Sequence, residues 1–165
     1  MSDQDADNYA QLGASASKAG LHRVLDATGL ADTEALFARL LPDLAGDPQY
    51  RSFIHCDGAG TKTIIAYLLY RMTGDRTHFA GLAADALVMN IDDVYCTGAP
   101  DSIALANTIA RNAKLIDDEI VGTIIGAYVS LVDQLRSFGI PIEITGGETA
   151  DCGDVVRTLM VDAVV

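Results

Sequence analysis

The stretch Arg51-Ser52-Phe53-Ile54-His55-Cys56-Asp57-Gly58-Ala59-Gly60-Thr61-Lys62-Thr63-Ile64-Ile65-Ala66-Tyr67-Leu68-Leu69-Tyr70-Arg71-Met72 decides the fold. Residues 51–56 read as a strand and 61–72 as a helix closed by Gly74, with a glycine-rich turn between them. The alternation continues downstream: helix 81–96, strand 101–109, helix 117–138 ended by Gly139, strand 141–144 and a closing strand over 155–165. The reading is a mixed α/β domain. The closing strand is apolar across its last residues except for Asp162, and is expected to expose a sheet edge unless something pairs with it.

Upstream of Tyr50 the texture differs. Residues 1–17 carry Asp3, Asp5, Asp7 and the small-residue run Gly13-Ala14-Ser15-Ala16-Ser17, which offers little to bury and reads as a flexible arm. Leu21, Val24 and Leu25 have helical spacing over 18–27, a second short helix is expected between Asp32-Thr33 and Pro42, and Gly46-Asp47-Pro48 makes a turn. The expected organisation is an arm with short helices over 1–48 and an α/β core over 49–165.

At 165 residues, half of them hydrophobic, the chain suits one domain that buries roughly 70% of its unfolded surface. Its 19 Asp, 4 Glu, 8 Arg and 3 Lys give a net charge of −12, which works against nucleic acid and anionic membranes as partners. An acidic, lysine-poor surface is also compatible with a high-salt cytoplasm. Cys56, Cys96 and Cys152 are odd in number and far apart, which points to buried or half-buried free thiols rather than a disulfide framework or a zinc site. The polar, acidic start is no secretory leader and the run 64–70 is too short to span a bilayer, so a cytoplasmic protein is expected.

Three segments carry chemistry. Asp57-Gly58-Ala59-Gly60-Thr61-Lys62 follows a strand and opens a helix, so its backbone N–H groups can face an anion while Lys62 supplies a point charge. It is not a Walker A loop, because the spacing GxxxxGK[ST] is missing. On the helix over 81–96, Leu87, Val88, Ile91, Val94 and Tyr95 make one apolar face, Asp85 and Asp92 lie on one flank and Asp93 points elsewhere. Asp92 and Asp93 sit near the helix C-terminus, where the macrodipole disfavours negative charge and a bound cation would offset the cost. Thr145-Gly146-Gly147-Glu148-Thr149-Ala150 reads as a loop after the strand 141–144, with Glu148 projecting from a turn. Glycines, carboxylates and one lysine together suit a metal-bound polyphosphate. Were Asp57, Asp93 and a further carboxylate to converge, charges about 5 Å apart would repel by about 3 kcal/mol at an effective dielectric near 20, and magnesium would relieve this. His22 and His55 are lone histidines and receive no catalytic role.

The segment over 57–62 resembles the DGxGTK motif of the aminoimidazole ribonucleotide synthetase (phosphoribosylformylglycinamidine cyclo-ligase) family. Residues 92–99 and 146–150 are similar to its NDLxxxGA and GGETA, in family order at compatible spacing. Tyr9 and Gly13-Ala14-Ser15 resemble the family's glycine-rich arm, which closes over ATP. The resemblance implies the N-terminal α/β domain of that fold: a mixed sheet with helices on one face, dimerising through its sheet. By the same resemblance the chain is expected to be that N-terminal domain alone, without the family's C-terminal domain. It implies ATP and Mg2+ as cofactors, a ribonucleotide substrate and a homodimer. Site residues carried across are Asp57, Gly58, Gly60, Thr61, Lys62, Asp85, Gly146, Gly147, Glu148 and Thr149 at the nucleotide, with Lys62 also catalytic and Asp57 and Asp93 at the metal. Asp92 departs from the family, which usually has Asn there. The alternatives are another enzyme of the superfamily, such as selenophosphate synthetase or thiamine-monophosphate kinase, or a non-catalytic nucleotide-sensing dimerisation domain. Selenophosphate synthetase is disfavoured because no Cys precedes Cys56.

Overall fold

A computed structural model describes residues 19–29 and 39–165, which fall into two compact units divided after Arg39. In the first unit, helix α1 (Ala19–Thr28) matches the expected helix to within a residue at each end and buries none of its side chains. Gly29, at φ 69°, closes it, its N–H reaching the carbonyl of Asp26. The arm over 1–17 and the second short helix fall almost wholly outside the described residues.

The second unit, Leu40–Val165, begins with a two-stranded ribbon, β1 (Leu41–Pro42) against β2 (Arg51–Ser52). Asp43 ties its loop together by accepting from the Asp47 N–H and the Ser52 hydroxyl, each at 3.1 Å. Those bonds, the Asp47 N–H foremost, hold the Asp43 carboxyl below its ordinary pKa. The strand expected over 51–56 is therefore two short strands: β2 pairs in the ribbon, and β3 (Cys56–Gly58) joins the main sheet. Helix α2 (Lys62–Thr73) follows and stops at Gly74, whose φ of 75° suits a residue without Cβ. A single 3₁₀ turn, Arg76–Phe79, capped by the Asp75 carboxylate, leads into helix α3 (Gly81–Thr97). Next come β4 (Ile103–Arg111), helix α4 (Asp118–Ser137) with Asp117 as its cap, β5 (Ile142–Asp151) and β6 (Leu159–Val164).

The main sheet has the order β3-β6-β4-β5, antiparallel except for the parallel β4/β5 pair that α4 connects. The architecture is the expected mixed sheet with helices on one face. The closing strand, however, is not an edge: β6 lies between β3 and β4 with both sides paired, and the edges are β3 and β5. Alternation along the strands points Ile103, Leu105, Ile109, Val161 and Ala163 into the core, where Leu87 and Ile91 of α3 and Ile120, Ile124 and Tyr128 of α4 cover them. Each fully buried Leu or Ile here contributes about 1.5–3 kcal/mol. Ala104, Thr108, Met160, Asp162 and Val164 point to the opposite face, which is half-open.

Two further expectations need correcting. On α3 the buried stripe is Leu82, Ala83, Ala86, Leu87, Asn90, Ile91 and Val94, whereas Val88 and Tyr95 are exposed. The stripe follows the helical period from Leu82 and accepts the polar Asn90, which an apolar-only reading skips. Cys56 and Cys96 are exposed rather than buried, and only Cys152 is half-buried.

Candidate functional site

Asp57 and Gly58 are the last residues of β3, so the turn proper is Ala59-Gly60-Thr61. Gly60 takes φ 55°, a conformation glycine adopts without strain. Ala59 is anchored by its N–H to the Val161 carbonyl at 2.8 Å. The first N–H groups of α2 fold back on carbonyls three residues earlier, Lys62 to Ala59 and Ile64 to Thr61. Among the described residues the N–H groups of Gly60 and Thr61 have no partner, and both residues are exposed. A helix N-terminus with open N–H groups at an exposed turn favours an anion. Gly58 has a separate reason to be glycine: a Cβ there would run into the carboxylate of Asp162, with Cγ at 2.8 Å and the Val161 carbonyl at 2.9 Å.

Lys62 and Asp85, expected at the nucleotide, are in contact: Nζ lies 2.8 Å from Oδ1, with side chains 50% and 35% exposed. A pair this exposed adds little stability, so the lysine can be redirected to a stronger anion at small cost. Asp93 is also engaged. Its Oδ2 lies 2.9 Å from Nε2 of His55, whose Nδ1 lies 3.0 Å from Oδ1 of the buried Asn90. Asp57 points its Oδ1 at the N–H of Gly58, 2.7 Å away. Asp92, next to Asp93, is exposed.

The segment expected as a loop, residues 145–150, is strand. β5 continues through Asp151, parallel to β4, with one irregularity where Thr145 sits opposite the Leu105/Ala106 junction. The Thr145 hydroxyl donates to the Leu105 carbonyl at 3.2 Å. Gly146 and Gly147 do not take positive φ. Gly147 makes room for Asn107, whose Oδ1 would lie 2.6 Å from an added Cβ. The register aligns Gly58, Asp162, Thr108 and Glu148 in one row across the open face. At about 4.8 Å per strand, Glu148 is roughly 14 Å from Gly58. The structure thus gathers Asp57, Gly58, Gly60, Thr61, Lys62 and Asp85 around one turn. Gly146, Gly147, Glu148 and Thr149 stand at the other edge of the sheet.

Asp162, Asn90 and His55 were not read as site residues from sequence. Asp162 is half-buried on the row beside Gly58; burial, and then the Asp57 charge, raise its carboxyl above the ordinary pKa. A lone acid in an apolar strand was its signal. Asn90 had one too, a polar residue inside an apolar helical stripe. Nothing in the sequence placed His55 against Asp93, because strand register is a tertiary property.

Among the described residues no group of three or more His, Cys, Asp and Glu is gathered to hold a metal ion. The acids at the turn are oxygen donors, and magnesium needs only one or two carboxylates when phosphate oxygens and waters complete its shell. The donor set therefore fits magnesium arriving with a polyphosphate and does not form an all-protein cage. Among the described residues no helix is long and apolar enough to cross a membrane.

No curated protein is detectably similar to the chain. Residues 33–165 match the family described as AIR synthase related protein, N-terminal domain, covering both the β3–α2 turn and the Gly-Gly-Glu-Thr strand. On that match the chain belongs to the AIR synthase related family.

Proposed function

We propose that this domain binds Mg-ATP at the β3–α2 turn and serves an ATP-dependent cyclo-ligase that converts formylglycinamidine ribonucleotide to aminoimidazole ribonucleotide in purine biosynthesis. The observation that carries the reading is the turn itself: open N–H groups at Gly60 and Thr61, with Lys62 beside them on an easily broken pair with Asp85. The family match and the DGxGTK-like sequence support it, since members of this superfamily are generally ATP-dependent enzymes. In the reaction the γ-phosphoryl group passes to the substrate amide oxygen, leaving ADP. An internal nitrogen then attacks the same carbon and phosphate departs as the ring closes. Lys62 and the turn N–H groups stabilise phosphate charge, and Asp57 and Asp93 are the residues that would hold magnesium, which would neutralise polyphosphate charge. The work of the chain is positioning and electrostatics.

The test is turnover by the whole protein on formylglycinamidine ribonucleotide with ATP and magnesium. One ADP and one aminoimidazole ribonucleotide per cycle are expected. Binding of Mg-ATP without turnover would instead support a sensing domain, and absence of magnesium-dependent nucleotide binding would end the reading.

The open sheet face favours a homodimer built sheet to sheet. Its central strands present Ala104, Ala106, Met160 and Val164, small or apolar and not fully covered, and Met160 is 45% exposed. Light scattering in moderate salt is expected to give twice the 17.4 kDa chain mass for the domain. Met160→Arg, which puts a charge on the most exposed apolar side chain of β6 on that face, is expected to give the monomer mass. A monomeric parent at tens of micromolar, an ordinary range for stable assemblies, would refute the dimer.

A further inference from the structure

We propose that His55 is the positioning residue for Asp93, itself locked by the buried Asn90, and that it leaves Asp93 one free oxygen for the cation. The inference rests on the Mg-ATP reading of the site. Asn90 is fully buried on α3, and its amide nitrogen faces the carbonyls of Ala86 at 2.8 Å, Asp57 at 3.1 Å and Ala163 at 3.2 Å. Those acceptors come from the helix and from β3 and β6, so the amide has one orientation. Its oxygen is left to accept from His55 Nδ1, which fixes the proton on that nitrogen. The backbone of His55 is pinned as well, through paired bonds with Val165 at 2.9 Å in each direction. Nε2 is thereby aimed at Oδ2 of Asp93, and since Nδ1 already carries a proton, Nε2 donates to that oxygen as the second N–H of an imidazolium.

A polar side chain at the centre of an apolar stripe is costly unless every group is satisfied, and here each bond of Asn90 serves to fix the imidazole. Asp93, 28% exposed, has Oδ2 occupied and Oδ1 without a partner among the described residues. A carboxylate held by one oxygen offers a single donor with little rotamer freedom left to lose. That geometry suits the small octahedral shell of magnesium better than calcium, which readily takes both oxygens of one carboxylate. Partners of this kind alter metal affinity by about 10–100-fold when removed.

The experiment is calorimetric titration of ATP into the whole protein in EDTA, in Mg2+ and in Ca2+, for the parent, His55→Leu, Asp93→Asn and the double variant. His55→Leu is expected to weaken Mg2+-dependent ATP binding at least about tenfold. It should leave binding in EDTA unchanged and affect Ca2+-dependent binding less, a selectivity a purely structural role would not move. The double variant should bind no more weakly than Asp93→Asn alone. Circular dichroism checks the fold, and His55→Gln, whose amide can donate to Asn90 or to Asp93 but turns its carbonyl oxygen toward the other, is expected to show the same loss and replaces His55→Leu if the latter does not fold. Parent-like Mg2+ dependence in the His55 variant, or additive losses in the double variant, would overturn the inference while leaving the nucleotide reading intact. A parent protein that shows no Mg2+-dependent ATP binding would overturn both.

Discussion

Lys62→Ala and Asp93→Asn are each expected to lower ATP-dependent turnover of the whole protein by at least about tenfold, or 1.4 kcal/mol of transition-state stabilisation. For Lys62 the argument is positional. Its ammonium sits at the mouth of the β3–α2 turn, half exposed, on a pair with Asp85 that solvent screens and that an arriving polyphosphate would outbid. On the proposed Mg-ATP reading, removing it takes a positive charge from the place where phosphate charge would move, so kcat should fall with kcat/KM. For Asp93 the argument is that it alone of the adjacent acids is oriented: it pairs with His55, whereas Asp92 is exposed. Asp92→Asn restores the residue usual in the resembled family and is expected to leave turnover unchanged. Steady-state kinetics on the three variants decides the matter. A crippled Asp92→Asn with a silent Asp93→Asn would mean that the metal assignment is off by one residue.

The contrast between these two acids shows where sequence reasoning reached and where it stopped. Gly74 and Gly139 marked helix ends correctly, because a glycine in the left-handed region after an apolar period is a local event. The pair Gly146-Gly147 looked the same and was not: Gly147 is glycine because Asn107 of the neighbouring strand occupies the space of a side chain. That reason lies 40 residues away in the chain and leaves no local mark. The β3–α2 turn was legible because strand, turn and helix are consecutive. The Lys62–Asp85 contact, across 23 residues, and the Asn90–His55 contact, across 35, depend on how α3 crosses the sheet. Asn90 itself was visible as an interruption of the apolar stripe, but its four partners come from α3, β3, β6 and the segment between β2 and β3. The closing strand was identified from its composition, yet its place between β3 and β4 follows from sheet order, which composition does not encode.

Gly58→Ala is expected to destabilise the domain by about 1–3 kcal/mol, the cost of overpacking a site with no slack. The added methyl would meet the Asp162 carboxylate, its Cγ 2.8 Å away, and also the Val161 carbonyl at 2.9 Å. The carboxylate can be removed but the backbone carbonyl cannot, so Asp162→Ala should recover part of the loss and not all of it. Thermal unfolding of the parent, both single variants and the double variant measures that coupling, expected between contacting residues at 0.5–3 kcal/mol. Asp162→Asn in the glycine background isolates the charge. Burial, with the Asp57 charge added, raises the folded-state pKa of Asp162, so the folded protein binds more protons than the unfolded chain between the two values. Stability from this group therefore falls as pH rises through that window, starting from the unfolded carboxylate value near 3.9. The Asn variant should be the more stable of the two at neutral pH, and its advantage should vanish in acid. An advantage that persists unchanged below pH 4 would show that Asp162 acts through shape and not through charge. Additive losses for Gly58→Ala and Asp162→Ala would show that the carboxylate is not what keeps position 58 a glycine.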